Sequence, residues 1–363
     1  MNWLLIFLGF SALIILHEAG PFFAAKATGM RVERFFLFFP PKLVSFKRGE
    51  TEYGIGAIPA GGFVKISGMN PDEVLPEGEE HRGYYQQPVW KRIVVIGAGP
   101  AVNIVLAFAI LFVLAFSVSQ PNRTVERVLP DTPAAAAKLE PGDRILAIDG
   151  KSHPGLEGEA LLERFRDDIA SHRCAGRQIN GCDAATPATL TVKRDGEVRK
   201  IVVRPEYDAN EGRVLVGFGY GHEPAELGAG EATDWAAEKM WLVASRTATV
   251  FARLFEEDKR KEVSGVVGVS AVANETIDVS TKQSLFLLAL VSLSLGLINL
   301  FPFLPLDGGH IFWSLVEKAR GKPVPYRVME RAGALGFVLV IMLFFLGLTN
   351  DIGRLTGEGF NVR

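Results

Sequence analysis

Three ionisable residues lie in or beside long apolar stretches, and their types suit hydrolytic chemistry at a metal ion. His17 and Glu18 interrupt an apolar run near the start of the chain, and Asp307 follows another near its end. An ionisable group inside such a segment is costly to bury, so each calls for a polar partner in the protein interior. Imidazole and carboxylate are zinc ligands, and a neighbouring glutamate can act as general base. These residues are therefore expected to meet at a common buried point.

Four apolar stretches are long enough to cross a bilayer as helices, since about 20 residues span a hydrocarbon core of about 30 Å. A cleaved signal peptide is a poor alternative for the first, because no basic residue precedes it and an ionisable pair lies inside it. The composition, 48% hydrophobic and 22% charged, agrees with a membrane protein. The predicted spans are Trp3–Ala25, Ile93–Val118, Ser284–Phe303 and Gly333–Thr349.

The short loops predict the orientation, because cytoplasmic loops carry an excess of Lys and Arg. The loop between the third and fourth stretches and the segment after the first are both basic, so both are expected in the cytoplasm. His17 and Asp307 then lie at similar depth, toward the cytoplasmic side. Residues 119–283 and both termini are expected outside. The basic residues are Lys318, Arg320, Lys322, Arg327 and Arg331 in the loop, and Lys26, Arg31, Arg34, Lys42, Lys47 and Arg48 in the segment.

The charge balance disfavours a nucleic-acid partner. The formal net charge is −2, and phosphate binding depends on clustered positive charge. The partner that the composition favours is the lipid bilayer.

Between the second and third stretches the pattern changes to short β-rich runs separated by turn residues, with a helix near Leu161–Ile169. The run from Thr132 to Asp143, with the Arg-Ile-Leu-Ala-Ile-Asp-Gly that follows, resembles a PDZ domain of bacterial proteases. That resemblance implies binding of an extended peptide or a chain terminus by strand addition. A spacer that binds nothing is the alternative.

Two other features fall in the same outer stretch. Cys174 and Cys182 could pair in an oxidising compartment, and two unrelated thiols are the alternative. Residues 235–255 carry aromatic and aliphatic side chains at helical spacing, which predicts an amphipathic helix at the membrane face or against the domain. The charged cluster 256–262 that follows is expected to form a solvated turn.

The segments around the ionisable residues are similar to the site-2 protease family of intramembrane zinc metalloproteases. They are His17-Glu-Ala-Gly-Pro21, Gly99-Pro-Ala-Val-Asn103 and the run from Asn299 to Gly309, in an order that covers nearly the whole chain. The resemblance implies zinc-dependent peptide hydrolysis, with His17 and Asp307 as metal ligands and Glu18 as general base. It also implies that Asn103 and Asn299 lie near the site, supporting substrate or oxyanion.

Position 21 departs from the family pattern, which has a second histidine ligand there. Pro21 cannot bind zinc, and it cannot donate a backbone hydrogen bond to the carbonyl of His17, so a kink or break of the helix is expected. An inactive relative, an introduced substitution and a sequence error each explain it. His310, three residues beyond Asp307, is a candidate for the missing zinc ligand. Helix capping or packing is the simpler role for this histidine.

The segment from Glu52 to Ile66 alternates glycine with apolar residues, which predicts a hairpin that dips into the membrane beside the site. The resemblance implies that this hairpin aligns an extended substrate. An ordinary cytoplasmic hairpin is the alternative.

The sequence thus predicts a polytopic α-helical membrane protein with four transmembrane helices and an inserted extracytoplasmic PDZ-like β-rich domain. The expected divisions are 1–118, the PDZ-like domain 119–210, a linker with the amphipathic helix 211–283, and 284–363. The resemblance implies Zn²⁺-dependent cleavage of single-span membrane proteins, such as anti-sigma-type regulators, in a bacterial inner membrane. Glu18 favours this protease, whereas Pro21 favours a non-catalytic protein that captures clients through its PDZ-like domain.

Overall fold

The computed structural model describes residues 2–70, 73–253, 256 and 264–356. They form two compact units. One consists of Met1–Ala115 together with Gly228–Arg363, and the other of Phe116–Leu227.

The first unit opens with two long apolar helices and a pair of strands between them: α1 (Asn2–Ala27), β1 (Val32–Arg48), β2 (Thr51–Ile66) and α2 (Val89–Ala115). The two helices meet at their glycines. A Cβ added at Gly20 would lie 2.4 Å from the carbonyl oxygen of Ala98, so only glycine permits this approach. α1 stays helical through Pro21 as far as Ala27, so the predicted break is wrong.

The strands β1 and β2 form a ladder that is longer than a simple hairpin. Phe35 lies opposite both Val64 and Tyr53, so the first half of β1 lies between the two halves of β2. Residues 61–66 therefore form an outer edge within the described part of the chain. Stacked and edge-on aromatic contacts, such as Phe36 with Phe63 and Phe22 with Phe35, hold the ladder together and pack it on α1.

The second unit contains a five-stranded sheet in the order β6-β5-β4-β3-β9 and a separate pair β7-β8. Phe165, Leu161 and Leu190 are fully buried in its core. A disulfide joins Cys174 to Cys182, which confirms the predicted pairing. The predicted strands and helix are also observed. The elements are β3 (Ser119–Val128), α3 (Pro133–Ala136), β4 (Arg144–Ile148), α4 (Gly158–Ala170), β5 (Ala188–Arg194), β6 (Glu197–Val203), β7 (Glu206–Asp208), β8 (Arg213–Leu215) and β9 (Phe218–Pro224).

Within its described residues, the first unit continues with the helices α5 (Ala229–Ala252), α6 (Val266–Val279), α7 (Thr281–Asn299), α8 (Asp307–Arg320) and α9 (Tyr326–Thr356). α5 is the helix predicted for 235–255, and it packs against α2 and α7. The last two residues of that prediction, and all of the charged cluster except Glu256, lie outside the described residues.

Four of the described helices are long and apolar enough to cross a membrane, as the sequence predicts. They are α1, α2, α7 and most of α9, from Arg327 to Thr356. α7 ends at Asn299, four residues before the predicted limit at Phe303, because the prolines in the Phe-Pro-Phe-Leu-Pro-Leu run that follows cannot continue a helix.

Candidate active site

His17 and Asp307, which lie 290 positions apart in the sequence, meet inside the first unit. The Nε2 atom of His17 lies 3.2 Å from Oδ2 of Asp307. His17 is buried on α1, and Asp307 is the first residue of α8. The apolar segments therefore bring an imidazole and a carboxylate to a common interior point.

Glycines shape the approach of both side chains. The start of α8 packs closely against the backbone of the preceding loop. A Cβ at Gly308 would clash with the carbonyl oxygen of Leu300, so only glycine permits this approach. On α2, a Cβ at Gly99 would lie 3.0 Å from Nε2 of His17. The Asp-Gly-Gly and Gly-Pro motifs thus make the space in which His17 and Asp307 meet.

Asn103 supports His17 from the side opposite Asp307. Its Nδ2 atom lies 3.3 Å from Nδ1 of His17, and its Oδ1 is buried without a hydrogen-bond partner among the described residues. The hydroxyl of Ser292 donates to the backbone oxygen of Asn103 at 2.9 Å, which ties α7 to α2. In this structure Asn103 therefore contacts the predicted metal ligand. The hydrogen bond seen for Asn299 runs from its amide to the carbonyl of Leu295 in its own helix.

The strand edge 61–66 lies directly over Glu18. The backbone of Val64 lies next to the Glu18 carboxylate. A Cβ at Gly62 would lie 2.9 Å from Cγ of Glu18, so this position must stay free of a side chain. The glycine-rich hairpin is therefore part of the surroundings of Glu18, next to the site.

The donor atoms present fit a zinc site only in part. Two ligands at about 2.0 to 2.2 Å from a tetrahedral zinc lie about 3.3 to 3.6 Å apart, which is close to the 3.2 Å separation of His17 Nε2 and Asp307 Oδ2. That Oδ2 atom is buried and makes no hydrogen bond within the described chain, although it lies within ion-pair distance of the His17 ring. An unsatisfied carboxylate oxygen is what a metal ligand without its metal presents.

Among the described residues, no side chain stands as the third protein ligand that catalytic zinc normally has. Within the described residues, no group of three His, Cys, Asp or Glu side chains could hold a metal ion, so His310 does not complete the set. Pro21 occupies the buried position one turn after His17. The described residues thus supply two of the three protein ligands of a catalytic zinc site and do not form a complete one.

Long apolar helices that bring together an in-helix His-Glu pair and a distant aspartate define the class of membrane metallopeptidases. The chain belongs to Peptidase family M50, the site-2 protease family, which it matches over residues 5–343. The resemblance drawn from its motifs is thereby confirmed, and by family resemblance the chain is a metalloendopeptidase.

Relatives match over nearly the whole chain. A protein of Clostridium perfringens is 32% identical over 347 residues, covering 95% of this chain and 96% of its own length. Zinc metalloprotease Rip1 of Mycolicibacterium smegmatis is 32% identical, covering 90% of this chain and 88% of its own. Zinc metalloprotease Rip1 of Mycobacterium tuberculosis is 29% identical, covering 93% and 94% respectively.

Sequence reasoning missed Ser292 and the two contacts that the hairpin makes with Glu18. Ser292 is a small polar residue in an apolar helix, a type that often hydrogen-bonds across helices in membranes, and this signal could have identified it. The contacts of Gly62 and Val64 with Glu18 depend on strand register. No local pattern reveals that register before the fold is known.

Proposed function

We propose that this chain has the architecture of an intramembrane zinc metalloprotease and receives transmembrane segments of membrane proteins. The observation that carries the proposal is the meeting of His17 Nε2 and Asp307 Oδ2 at 3.2 Å inside a bundle of apolar helices. Glu18, adjacent to His17, is the carboxylate available to act as general base.

In this proposal His17 and Asp307 are metal ligands, and Asn103 holds the imidazole of His17 in orientation through its second ring nitrogen. Zinc supplies Lewis-acid chemistry to the members of the family that hold it. Because the described residues supply two ligands instead of three, retention of zinc is the property that decides whether the chain cleaves peptides.

The hairpin edge 61–66 is the proposed docking strand for an extended substrate. Its outer side has no strand partner among the described residues, and its neighbour is Glu18. A segment paired with this edge would run past the site through backbone hydrogen bonds, which impose little sequence selectivity. Single-span membrane proteins, of which anti-sigma-type regulators are one kind, are the proposed substrates.

The remaining predictions complete the proposal. The second unit is proposed to be a PDZ-like domain that binds a peptide or chain terminus, because the outer strands β6 and β9 of its sheet are available for strand addition. We place the protein in the bacterial inner membrane, with the site toward the cytoplasm and the PDZ-like domain outside, on the basis of the basic loops. The proposed divisions remain 1–118, 119–210, 211–283 and 284–363.

Pro21 favours a second candidate function. A chain that holds its clients at the hairpin and the PDZ-like domain but lacks a zinc ligand would be a non-catalytic binding protein. In this alternative His17 and Asp307 form a polar contact that stabilises the bundle.

Zinc content and cleavage distinguish the two functions. The purified chain, Pro21→His, Pro21→Ala and the double variant Pro21→His with Glu18→Gln are assayed for bound zinc per chain and for cleavage of a model transmembrane substrate. The protease proposal expects Pro21→His to bind about one zinc and cleave, the added Glu18→Gln to bind zinc without cleaving, and Pro21→Ala to do neither. If the unaltered chain itself binds about one zinc and cleaves, the non-catalytic function is wrong; if it does neither, the protease function is wrong for this chain. If Pro21→His gains neither zinc nor activity, the proposed ligand role of position 21 is wrong.

A further inference from the structure

A buried carboxylate near the end of the fourth apolar helix takes no part in the site described above. Asp351 of α9 is fully buried and accepts three hydrogen bonds from the start of α6. Its Oδ1 accepts from the hydroxyl of Ser264 at 2.9 Å. Its Oδ2 accepts from the backbone N–H groups of Gly265 at 3.0 Å and Gly268 at 2.8 Å.

These hydrogen bonds make Asp351 the N-terminal cap of α6. The first N–H groups of a helix have no hydrogen-bond partner within the helix. A negative charge near them is stabilising, because it interacts favourably with the positive end of the helix dipole. The residue at the N-cap position of α6 is Gly265, which has no side chain to supply a cap. The cap therefore comes from another helix, more than 80 residues away in sequence.

α6 is poorly suited to fold alone. It has 14 residues, of which seven are β-branched, and it contains Gly268 in its first turn. β-branched residues and glycine have low helix propensity, and isolated helices of about 12 to 15 residues are marginal even with good helix formers. Contacts with other helices must therefore hold α6 in its helical form.

The contact surface of α9 is narrow. Its buried residues are Met329, Gly336, Gly347 and Asp351, which recur at helical spacing along one face. At the far end of that face α9 meets α6 backbone to backbone, since a Cβ at Gly347 would lie 3.0 Å from the backbone N and Cα atoms of Gly265. The Asp351 cap and the Gly347 contact thus anchor the same end of α9.

We propose that Asp351 couples the folding of α6 to the docking of α9. With α9 docked, its carboxylate caps α6 and keeps it helical. With α9 displaced, α6 loses its cap and unfolds. Because α6 also packs against α1, the position of α9 controls whether α1 keeps this contact. The coupling does not require that the chain cleave peptides.

Hydrogen exchange of the full chain in detergent micelles tests the coupling in one direction. Asp351→Ala is expected to speed exchange of the amides of residues 266–272 by about threefold to thirtyfold, the range that loss of a helix cap produces. Asp351→Asn, which keeps one acceptor oxygen, is expected to give a smaller increase. Thr349→Ala is the control, because within the described residues the exposed Thr349 hydroxyl donates to carbonyls of its own helix alone. Exchange in α2 reports whether a variant remains folded.

The reverse direction separates coupling from a purely local cap, since coupling between two elements is reciprocal. Ala271→Pro breaks α6 without altering α9, and it is expected to speed exchange of residues 348–355 at the end of α9. If Asp351→Ala fails to fold, Gly347→Ala, which crowds Gly265, takes its place with the same expected result. Unchanged exchange in α6 after either substitution, or in the end of α9 after Ala271→Pro, overturns the proposal.

Discussion

The ion pair between Arg92 and Glu317 allows a quantitative test of how the first unit is held together. Arg92 on α2 is 2% exposed, and its guanidinium donates two parallel hydrogen bonds, of 2.9 and 2.6 Å, to the Glu317 carboxylate on α8. The ring centroids of Tyr84 and Tyr85 lie 6.0 and 5.5 Å from the guanidinium carbon. The perturbations are Glu317→Leu, Arg92→Met and the double substitution.

The exposure of each partner sets the expected magnitudes. Glu317→Leu leaves a buried guanidinium unpaired and should lower the free energy of unfolding by about 3 to 5 kcal/mol. Arg92→Met should cost less, about 2 kcal/mol, because the Glu317 side chain is 20% exposed and its freed carboxylate can reach water. The double substitution replaces the pair with apolar groups of similar size and should lie within about 1.5 kcal/mol of the parent chain.

Reversible unfolding in mixed micelles measures the three changes. Glu197→Gln is the control, because it removes an ion pair with Arg199 in which both side chains are largely exposed, and it should cost less than about 0.5 kcal/mol. Additive losses, with the double variant as unstable as the sum of the single ones, would refute the argument. They would mean that the two side chains act through packing and not as a pair.

Three further predictions follow from the geometry. Gly62→Val should displace the hairpin edge from Glu18, since its Cβ would lie 2.9 Å from Cγ of that residue, and should lower cleavage by the Pro21→His chain without lowering its zinc content. Burial, the largest single effect, would raise the pKa of Asp143, but the hydrogen bonds from Arg194 and from the backbone N–H of Glu140, together with the charges of Arg194 and Arg199, outweigh it and hold that pKa below its ordinary value. The stabilisation is therefore present above the unfolded pKa of about 3.9 and lost as the pH falls through the folded value. The protection factors of the β4 amides, which compare their exchange with the intrinsic rate at the same pH, should fall with acid, and Asp143→Asn should abolish this dependence. Replacing Cys174 and Cys182 with serine should destabilise the second unit by about 2 to 3 kcal/mol, as expected for a loop closed across eight residues, measured by the loss of exchange protection in its sheet.

The apolar helices and the meeting of His17 with Asp307 could be predicted from sequence because both follow from strong local constraints. A long uncharged run has few stable structures besides a membrane-spanning helix. An ionisable residue inside such a run requires a partner, and few partners exist. The topology inferred from the basic loops was then enough to pair the two groups at a similar depth.

The capping of α6 by Asp351 and the contact of Gly62 with Glu18 could not be predicted in the same way. Each joins segments whose relative position depends on packing, and a glycine or aspartate near a helix end has many local explanations. The pairing of β1 with both halves of β2 could not be predicted either. The alternation of glycine and apolar residues in the hairpin is equally compatible with a simple two-stranded pairing.

The geometry around Pro21 explains why a missing ligand, and not a distorted helix, limits the proposed zinc site. Proline removes the hydrogen bond to the carbonyl of His17, yet α1 continues to Ala27 and His17 still reaches Asp307. Contacts with α2 hold this part of α1 in place: Gly20 lies against Ala98, and His17 lies against Gly99. Pro21→Ala should therefore stabilise α1, by up to the roughly 3 kcal/mol that an interior proline costs a helix, without adding zinc affinity. If Pro21→Ala instead raised zinc binding to the level of Pro21→His, backbone distortion would be the cause, and the ligand argument would be wrong.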